Sequence, residues 1–414
     1  MRPGKLESRA VSLTPVPVAR QAILDSIPGP RPVETLPLPR CAGRVLASDV
    51  AALRTHPPFA NSAMDGYAVR SADLAMGAKL SVIGASAAGR AFDGAVGMGQ
   101  AVRIFTGAPL PDGADTILIQ EHAEGVGSPE ITVMEVPAKG RHIRVAGLDF
   151  HEGDVLLEEG RLLDSAALGV AAAMGHPTLP VRRRPVVAIL ATGDELVLPG
   201  ETVGRDQIVA SNGFALAALV DEAGGEPLDL GIARDDHDDL AAKIGAARKA
   251  KADILVTLGG ASVGQHDLVQ EALKRAGMQL GFWKIAMRPG KPMLTGRLGD
   301  TVVLGLPGNP VSAIVCGHLF LLPLIDALLG RPDAGRDRSE PATLGRDMPA
   351  NDEREDYVRA TLALGPDGWV ATPFTTQDSS MMRTLAAAQA LAIRPAGAPA
   401  AKAGDPCRII RLRR

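Results

Sequence analysis

Three acidic side chains follow predicted strands between residues 183 and 330, and their chemistry suits a divalent metal ion. Glu195 and Asp235 each lie in a polar loop after such a strand, and Asp267 ends a third, glycine-rich loop. Ligands of doubly wound α/β sheets bind outside the carboxyl ends of the strands, so these loops are expected to meet. Because a hard cation takes carboxylate oxygens, the sequence predicts a metal site at this edge of the sheet.

Three loops of the same region suit an anionic group. Residues 259–267 carry glycines whose backbone N–H groups can cradle a phosphate, and residues 287–292 hold two cations, Arg288 and Lys291, on a Pro-Gly turn. Residues 305–310 form a stiff turn that leads into a helix N-terminus, which favours an anion. Each loop taken singly is more often a structural turn, so unrelated turns are the alternative. Together the loops favour a site for a polyphosphate and a divalent cation.

The elements that must position these loops alternate between strand and helix. The apolar run at 185–190 is continuous, which is typical of a strand buried on both faces of a sheet, and residues 252–258 and 301–306 are predicted as two further buried strands. Residues 282–286 are a further expected strand, which would bring the cationic loop to the same edge. Asn309 and Pro310 open a long apolar helix. The pattern predicts a doubly wound α/β domain over residues 183–330.

Three further domains are predicted around this one. Short β-branched runs between glycine-rich turns indicate a β-rich insert domain over residues 51–145. Helical spacing on both sides of the insert favours one discontinuous helical domain over residues 1–50 and 146–182. After a charged linker, residues 340–414 are expected to form a small C-terminal β domain.

The composition excludes several classes of partner and site. The 414 residues include 44 Lys and Arg against 47 Asp and Glu, and the net charge of −3 gives no reason to expect a nucleic acid or an anionic membrane. The three cysteines are too few for a disulfide framework or a zinc knuckle. The apolar run near 316–329 contains His318, Pro323 and Asp326, and is expected to be too short and polar to span a membrane. The N-terminus lacks a signal core, so a cytoplasmic location is expected.

Five motifs, in this order along the chain, resemble those of the molybdopterin molybdenumtransferases, the MoeA and gephyrin E-domain family. The longest is PFANSAMDGYAV at residues 58–69, and the resemblance covers nearly the whole chain. The α/β domain also resembles the molybdopterin adenylyltransferases. The other motifs are TGAPLP at 106–111, TGDEL at 192–196, MRPGKP at 287–292 and LPGNP at 306–310.

The resemblance implies an enzyme that inserts molybdate into adenylylated molybdopterin and releases AMP, with Mg²⁺ as its metal. The family positions tied to catalysis match Asp65, Thr106, Glu195, Asp235 and Asp267. Of these, Glu195, Asp235 and Asp267 are the expected metal ligands. Positions expected to bind substrate match Arg144, Asp149, Ser262, Gly264, Arg288, Lys291, Pro307, Pro310, Arg354 and Ser379.

The resemblance also implies a homodimer of four-domain protomers. Each active site would lie between the α/β domain of one protomer and the β-rich insert of the other. A molybdopterin adenylyltransferase and apo-molybdoenzymes are further expected partners, beside adenylylated molybdopterin and molybdate. Two alternatives stay open at this point: adenylyl transfer from ATP to molybdopterin, and a non-catalytic scaffold of the gephyrin E-domain type that binds a partner peptide.

Overall fold

The chain forms two separate folding units. Short strands and glycine turns are typical of the first half of the chain, and longer apolar strands are typical of the second. The structure, a computed structural model, describes residues 13–260, 268–281, 284–290 and 293–412. The insert unit comprises Thr35–Ala42 and Ser48–Pro180, and the main unit comprises Met1–Glu34, Gly43–Ala47 and Val181–Arg414.

The insert unit is built mainly from strands, which confirms the β-rich insert. A six-stranded sheet runs in the order β7-β4-β6-β5-β9-β8, and Tyr67, Leu80 and Leu118 are buried against it. The pair β3 and β10 stands outside this sheet. The first twelve strands of the chain are β1 (Val33–Pro37), β2 (Val50–Ala51), β3 (Asn61–Ser62), β4 (Gly66–Val69), β5 (Lys79–Ser86), β6 (Gln100–Ile104), β7 (Thr116–Ile119), β8 (Ala123–Glu124), β9 (Glu130–Val133), β10 (Ile143–Arg144), β11 (Val155–Leu157) and β12 (Thr178–Arg182). Short 3₁₀ helices lie at Leu38–Arg40, Ser71–Asp73 and Gln120–His122.

The segments that flank the insert differ from the predicted helical domain. Within the described residues each segment contains one α-helix, α1 (Val16–Asp25) in the first and α2 (Ser165–Ala173) in the second, and the two helices belong to different units. Helix α1 ends early because the prolines at 28, 30 and 32 lack an N–H and favour extended backbone. Strands β1 and β12 form a two-stranded sheet, so strand pairing joins the two segments.

The main unit contains the predicted doubly wound sheet, in the order β16-β13-β17-β21-β20-β18. Strands β16, β13, β17 and β21 are parallel, and β17 and β21 are buried at every residue, as their apolar runs predict. The strands of this region are β13 (Val186–Thr192), β14 (Leu196–Val197), β15 (Ile208–Val209), β16 (Glu226–Ala233), β17 (Ile254–Leu258), β18 (Gln279–Leu280), β19 (Met287–Arg288), β20 (Leu294–Leu298) and β21 (Thr301–Leu306). The helices are α3 (Asn212–Glu222), α4 (His237–Lys249), α5 (Leu268–Arg275), α6 (Pro310–Cys316) and α7 (Leu322–Leu328), with a π-helical stretch at Gly317–Leu321.

The apolar helix after β21 begins at Pro310, as the sequence predicts. Helix α6, the π-helical stretch and α7 form one run, Pro310–Leu328, of 19 residues. By length and composition this run could cross a membrane, so the expectation that it is too short and too polar was wrong. Most of its apolar window, 83 %, is buried inside the protein, where it forms part of the core. The polar Asp326 within it is paired with Arg331 and Arg338.

The tail forms the predicted β domain, and one strand from the α/β region joins it. Its elements are β22 (Glu340–Leu344), β23 (Glu355–Gly365), β24 (Gly368–Pro373), α8 (Met382–Ala387), β25 (Ala390–Arg394) and β26 (Pro406–Arg411). The sheet order is β19-β23-β24-β22-β26-β25, and a further pairing of β23 with β25 closes it into a barrel.

The position of β19 corrects the expectation for the cationic loop. Strand β19 pairs in parallel with β23, with Met287 opposite Glu355 and Arg288 opposite Asp356. The expected strand at 282–286 shows an isolated bridge at Ile285 among its described residues, while residues 282 and 283 lie outside them. The described part of the cationic loop therefore belongs to the edge of the C-terminal sheet, not to that of the α/β sheet.

Candidate active site

The loops at the carboxyl ends of the parallel strands meet, as predicted from their place in the sheet. The backbone N–H of Asp235, after β16, donates to the carboxylate of Asp194, after β13, over 3.3 Å. The N–H of Gly259, after β17, donates to the carbonyl of Leu306 at the end of β21 over 3.1 Å. Gly259 has φ +97°, and a Cβ there would lie 2.9 Å from the Thr192 carbonyl oxygen. Only glycine allows the loops after β13 and β17 to approach this closely.

The acidic loops form a cluster of like charges. The pKa of Asp235 is raised, first by burial and then by the neighbouring Asp194 and Glu195 carboxylates. The Glu195 carboxylate lies over the backbone of Gly193, where a Cβ would meet its Oε2 at 2.2 Å. No ion pair of these three carboxylates with Lys, Arg or His is present among the described residues. A cation at this position would relieve the repulsion that raises the pKa of Asp235.

The metal site predicted at Glu195, Asp235 and Asp267 is only partly within the described residues. Asp267 lies outside them, as do the predicted substrate ligands Ser262, Gly264 and Lys291. Within the described residues no three His, Cys, Asp or Glu side chains are grouped closely enough to enclose a metal ion. Glu195 and Asp235 offer hard oxygen donors of the kind that Mg²⁺ takes while it keeps several waters. The residues present therefore fit the predicted metal in chemistry.

Asp65 and Thr106 meet in the insert unit. The Asp65 carboxylate accepts a hydrogen bond from the Thr106 N–H over 2.7 Å and another from its Oγ1 over 2.9 Å. These bonds, first the one from the backbone, lower the pKa of Asp65, so the side chain is ionised at neutral pH. Asp65 and Thr106, which were predicted from separate motifs, are thus hydrogen-bonded to each other, and the Asp65 carboxylate lies near the protein surface.

Arg144 and Asp149 lie in the same unit, on the strand that faces the longest motif and on the loop after it. Strand β10 pairs with β3, which places Arg144 opposite Asn61. Both Arg144 and Asp149 are exposed, and the backbone N–H of Asp149 donates to the His56 carbonyl over 3.1 Å. Sheet pairing thus holds Arg144 beside the segment that leads to Asp65.

A cleft of about 780 Å³ lies between the α/β region and the C-terminal barrel, within the main unit. It gathers four predicted substrate ligands, Arg288, Pro307, Arg354 and Ser379. Pro310, a further predicted substrate ligand, begins the adjoining helix α6 and is not among the lining residues. The backbone carbonyl of Ser379 accepts the N–H of Val311 over 3.1 Å, which ties the Ser379 loop to the first turn of α6.

The environment of Arg288 corrects the argument from its sequence. No carboxylate lies within residues 287–292, which suggested that its partner is an anionic ligand. In the structure Arg288 pairs with Asp352 over 3.2 Å and with Asp356, and the hydrogen bond to Asp356 is the main cause of its raised pKa. Arg354 likewise pairs with Asp352, over 2.9 Å. The charge of each of these arginines is therefore at least partly neutralised within the protein.

Two arginines that line the cleft were missed in the sequence. Arg359, only 1 % exposed, donates to the Asp378 carbonyl over 2.8 Å and to the Met381 carbonyl over 3.2 Å, and so holds the loop that carries Ser379. Arg346 is half-buried and donates to the Pro373 carbonyl over 3.1 Å. Asp347, the neighbouring acid, is bound to Lys402 instead. An arginine between apolar residues of a strand, as in Tyr357-Val-Arg-Ala360, was the available signal for Arg359.

The fold and the site define a multidomain protein with a molybdopterin-binding type of α/β domain. Residues 188–327 match the model of a probable molybdopterin binding domain. The flanking regions match the same group of proteins: residues 14–175 match the MoeA N-terminal region (domain I and II), and residues 341–412 match the MoeA C-terminal region (domain IV).

Comparison with whole proteins gives the family. The chain is 40 % identical to the molybdopterin molybdenumtransferase of Haemophilus influenzae over 76 % of this chain and 77 % of that protein. It is 32 % identical to the one from Nostoc sp. over 96 % of this chain and 94 % of that one. A crystal structure of the molybdopterin biosynthesis MoeA protein from Pyrococcus horikosii superposes with a TM-score of 0.83 at 29 % identity, covering 97 % of this chain and all of that one. The chain belongs to the molybdopterin molybdenumtransferase family, as its motifs indicated.

Proposed function

We propose that this chain inserts molybdate into adenylylated molybdopterin and releases AMP, the last step of molybdenum cofactor biosynthesis. The observation that carries the proposal is that the Asp194, Glu195 and Asp235 carboxylates lie together, in a chain of this family, and that the turn at Gly259 packs against Thr192, which precedes the loop of Asp194 and Glu195. Such an edge suits a diphosphate accompanied by a divalent cation. Water attacks the molybdopterin phosphorus of the diphosphate, a new P–O bond forms, and the P–O bond to the adenylyl group breaks with AMP as the leaving group. Molybdate binds the two dithiol sulfurs and loses one oxygen as water, which takes up the two thiol protons.

Mg²⁺ is the metal that we propose for this edge. Glu195 and Asp235 would hold it, with Asp267 as the predicted third ligand. When bound, it would neutralise phosphate oxygens and polarise the phosphorus that is attacked. The protein itself supplies carboxylates that pair with no Lys, Arg or His among the described residues, and the glycine turn at Gly259 lets a phosphate approach the backbone.

The assay that tests the proposal follows AMP. The protein is incubated with adenylylated molybdopterin, Mg²⁺ and molybdate, and AMP is measured by chromatography with and without molybdate. Molybdate-dependent AMP release is expected. The adenylyltransferase alternative predicts pyrophosphate from ATP and molybdopterin in a parallel reaction, and a scaffold predicts neither product. The cytoplasmic location, the adenylyltransferase partner and the apo-molybdoenzyme partners stay predictions.

Arg346 is expected to contribute to molybdate binding in the cleft. Arg288 and Arg354 already have carboxylate partners, and Arg359 is buried and holds two carbonyl oxygens. Arg346 lines the cleft, donates to one carbonyl oxygen, and forms no ion pair with an acid among the described residues. Charge-assisted hydrogen bonds contribute roughly 1.5–3 kcal/mol, so Arg346→Gln should weaken molybdate binding about tenfold or more. Calorimetric titration with molybdate measures this effect.

The matched control for Arg346 is Arg248→Gln. Arg248 is an exposed arginine on α4 that does not line the cleft, so this change removes the same charge from the protein surface. Equal affinities in the two variants would exclude a role for Arg346 in binding molybdate.

A homodimer with shared sites is proposed from the separation of the predicted residues. Asp65 lies in the insert unit and Asp235 in the main unit, yet the family resemblance assigns both to one site. Mixing inactive Asp65→Asn and Asp235→Asn protomers should restore part of the AMP release, because one of the two sites in a heterodimer keeps both carboxylates. Heterodimers that form, as shown by native mass spectrometry, but stay inactive would contradict the shared site.

A further inference from the structure

His142 adopts a backbone conformation that side-chain-bearing residues rarely take. Its φ angle is +61°, in the left-handed region. Among the described residues only Lys251, with φ +53°, shares this feature without being glycine. Lys251 follows the end of helix α4, where a left-handed residue commonly terminates a helix. His142 ends no helix, so its conformation calls for another explanation. Sterically disfavoured residues persist where the surrounding structure holds them, often at functional sites.

The surroundings of His142 show what this conformation achieves. The His142 carbonyl accepts the N–H of Ala63 over 2.8 Å. The next residue, Ile143, is opposite Ser62, and Arg144 is opposite Asn61. The turn at His142 thus brings the chain directly onto the segment that leads to Asp65.

The same ladder extends to Thr106. The Ser62 carbonyl accepts the Gly107 N–H over 2.8 Å, and the Ser62 N–H donates to the Ala108 carbonyl over 3.1 Å. Asp65 then accepts both donors of Thr106. His142, Ser62 and the 106–108 loop are therefore consecutive parts of one hydrogen-bonded layer, and a shift at His142 would move Asp65, Thr106 and Arg144 together.

The imidazole of His142 gives no sign of a chemical role. The side chain is half-buried, and burial, followed by the charges of Arg141 and His122, lowers its pKa. The ring is therefore neutral at physiological pH. The backbone of His142 is hydrogen-bonded to the longest motif, whereas its ring has no hydrogen bond among the described residues.

We propose that His142 is a positioning residue, whose left-handed backbone sets the geometry of Asp65, Thr106 and Arg144. This inference rests on the proposed function, because it takes these three residues to serve the reaction. It assigns a role to a position that none of the family motifs contains. The requirement is for backbone conformation, so residues that accept a positive φ should replace His142 and β-branched residues should not.

The test compares four replacements. His142→Gly and His142→Asn are expected to keep kcat/KM within about twofold of the wild type, since both tolerate a positive φ. His142→Val is expected to lose about tenfold to a hundredfold, because small displacements of catalytic groups have effects of that order. His142→Ala, which carries a Cβ but no branch, should fall between them and remains informative if the valine variant does not fold.

Lys251→Val and Lys251→Gly are the matched controls. Valine disfavours and glycine tolerates the left-handed backbone of Lys251, which lies after the end of α4 and away from the predicted site residues. Lys251→Val is expected to lower the melting temperature with kcat/KM unchanged. An equal loss of kcat/KM in Lys251→Val and His142→Val would overturn the inference, since both losses would then reflect stability alone. A His142→Gly variant as inactive as His142→Val would overturn it too, since the ring would then be required.

Hydrogen exchange at the Ala63 amide separates this inference from the proposed function. The exchange is expected to be faster in His142→Val than in the wild type or His142→Gly, whether or not the protein releases AMP. Absence of AMP release from the wild type would refute the proposed function while leaving this readout intact. Unchanged exchange at Ala63 in His142→Val would refute the positioning role itself.

Discussion

Replacement of Asp235 by asparagine is expected to remove most molybdate-dependent AMP release and to leave the protein at least as stable as the wild type in the absence of metal. The carboxylate lies beside Asp194 and Glu195, and their charges and its burial raise its pKa. Loss of an ionised metal ligand at a phosphoryl centre should lower kcat by about a hundredfold or more. Kinetic assays in Mg²⁺ measure this fall.

The raised pKa of Asp235 determines whether the same substitution raises or lowers the stability of the protein. A carboxyl group whose pKa is raised on folding stabilises the protein fully below its ordinary pKa of 3.8, and this contribution is lost as pH rises through the raised value. Above the raised pKa the charged Asp235 therefore opposes folding, and asparagine removes that opposition. In EDTA the melting temperature of Asp235→Asn should equal or exceed that of the wild type, and the increase on adding Mg²⁺ should be smaller.

Asp236→Asn is the matched control, with the same substitution one residue along the chain. The Asp236 carboxylate caps α4 by accepting the N–H groups of Asp238 over 2.9 Å and Asp239 over 3.0 Å. Asparagine caps helices about as well as aspartate, so activity and stability should both be kept. A wild-type rate and a wild-type Mg²⁺ response in Asp235→Asn would remove Asp235 from the proposed metal site.

Asp65→Asn is expected to give the second large loss, about a hundredfold to a thousandfold in kcat, with the fold intact. The amide oxygen of asparagine can still accept the Thr106 N–H and Oγ1–H, so the local hydrogen bonds survive while the negative charge is lost. Charged groups placed where charge develops contribute about this much to catalysis. AMP release and the melting temperature are measured on the same preparation.

Asp115→Asn controls for the hydrogen bonds themselves. Asp115 accepts the Ser71 N–H over 2.7 Å and the Ser71 Oγ–H over 2.9 Å, which nearly repeats the arrangement of Asp65 with Thr106 in the same unit. Asp115 is assigned no part in the reaction, so its substitution should change stability and not kcat. A fall in kcat of the same size in both variants would show that the Asp65 effect is structural.

The sequence was sufficient for the α/β domain and for the meeting of its loops. Residues 254–258 and 301–306 are mainly apolar because both faces of their strands are buried, and that pattern is visible without a structure. In a parallel sheet the carboxyl ends of adjacent strands lie on one edge, so the approach of Asp235 to Asp194 followed from strand order.

The sequence was insufficient for features that depend on contacts between distant parts of the chain. Arg288 meets Asp356 because β19 joins the C-terminal sheet in one particular register, and no local pattern specifies a partner 68 residues away. Arg359 is buried because the carbonyl groups of Asp378 and Met381 satisfy its guanidinium. The backbone of His142 is left-handed although its residue type does not require it. Each of these features arises from tertiary contacts that become visible only in the folded chain.

If the protein transfers molybdenum as AMP leaves, both products must appear together in a single reaction. The purified protein is mixed with adenylylated molybdopterin, Mg²⁺ and molybdate, and the AMP formed and the molybdenum bound to pterin are measured in the same sample, the latter by elemental analysis of the isolated product. The amounts of AMP and of pterin-bound molybdenum are expected to rise together and to be equal, to depend on molybdate, and to be nearly zero in Asp65→Asn. AMP release without molybdenum in the pterin, or at the same rate without molybdate, would show that AMP release is not coupled to molybdenum transfer.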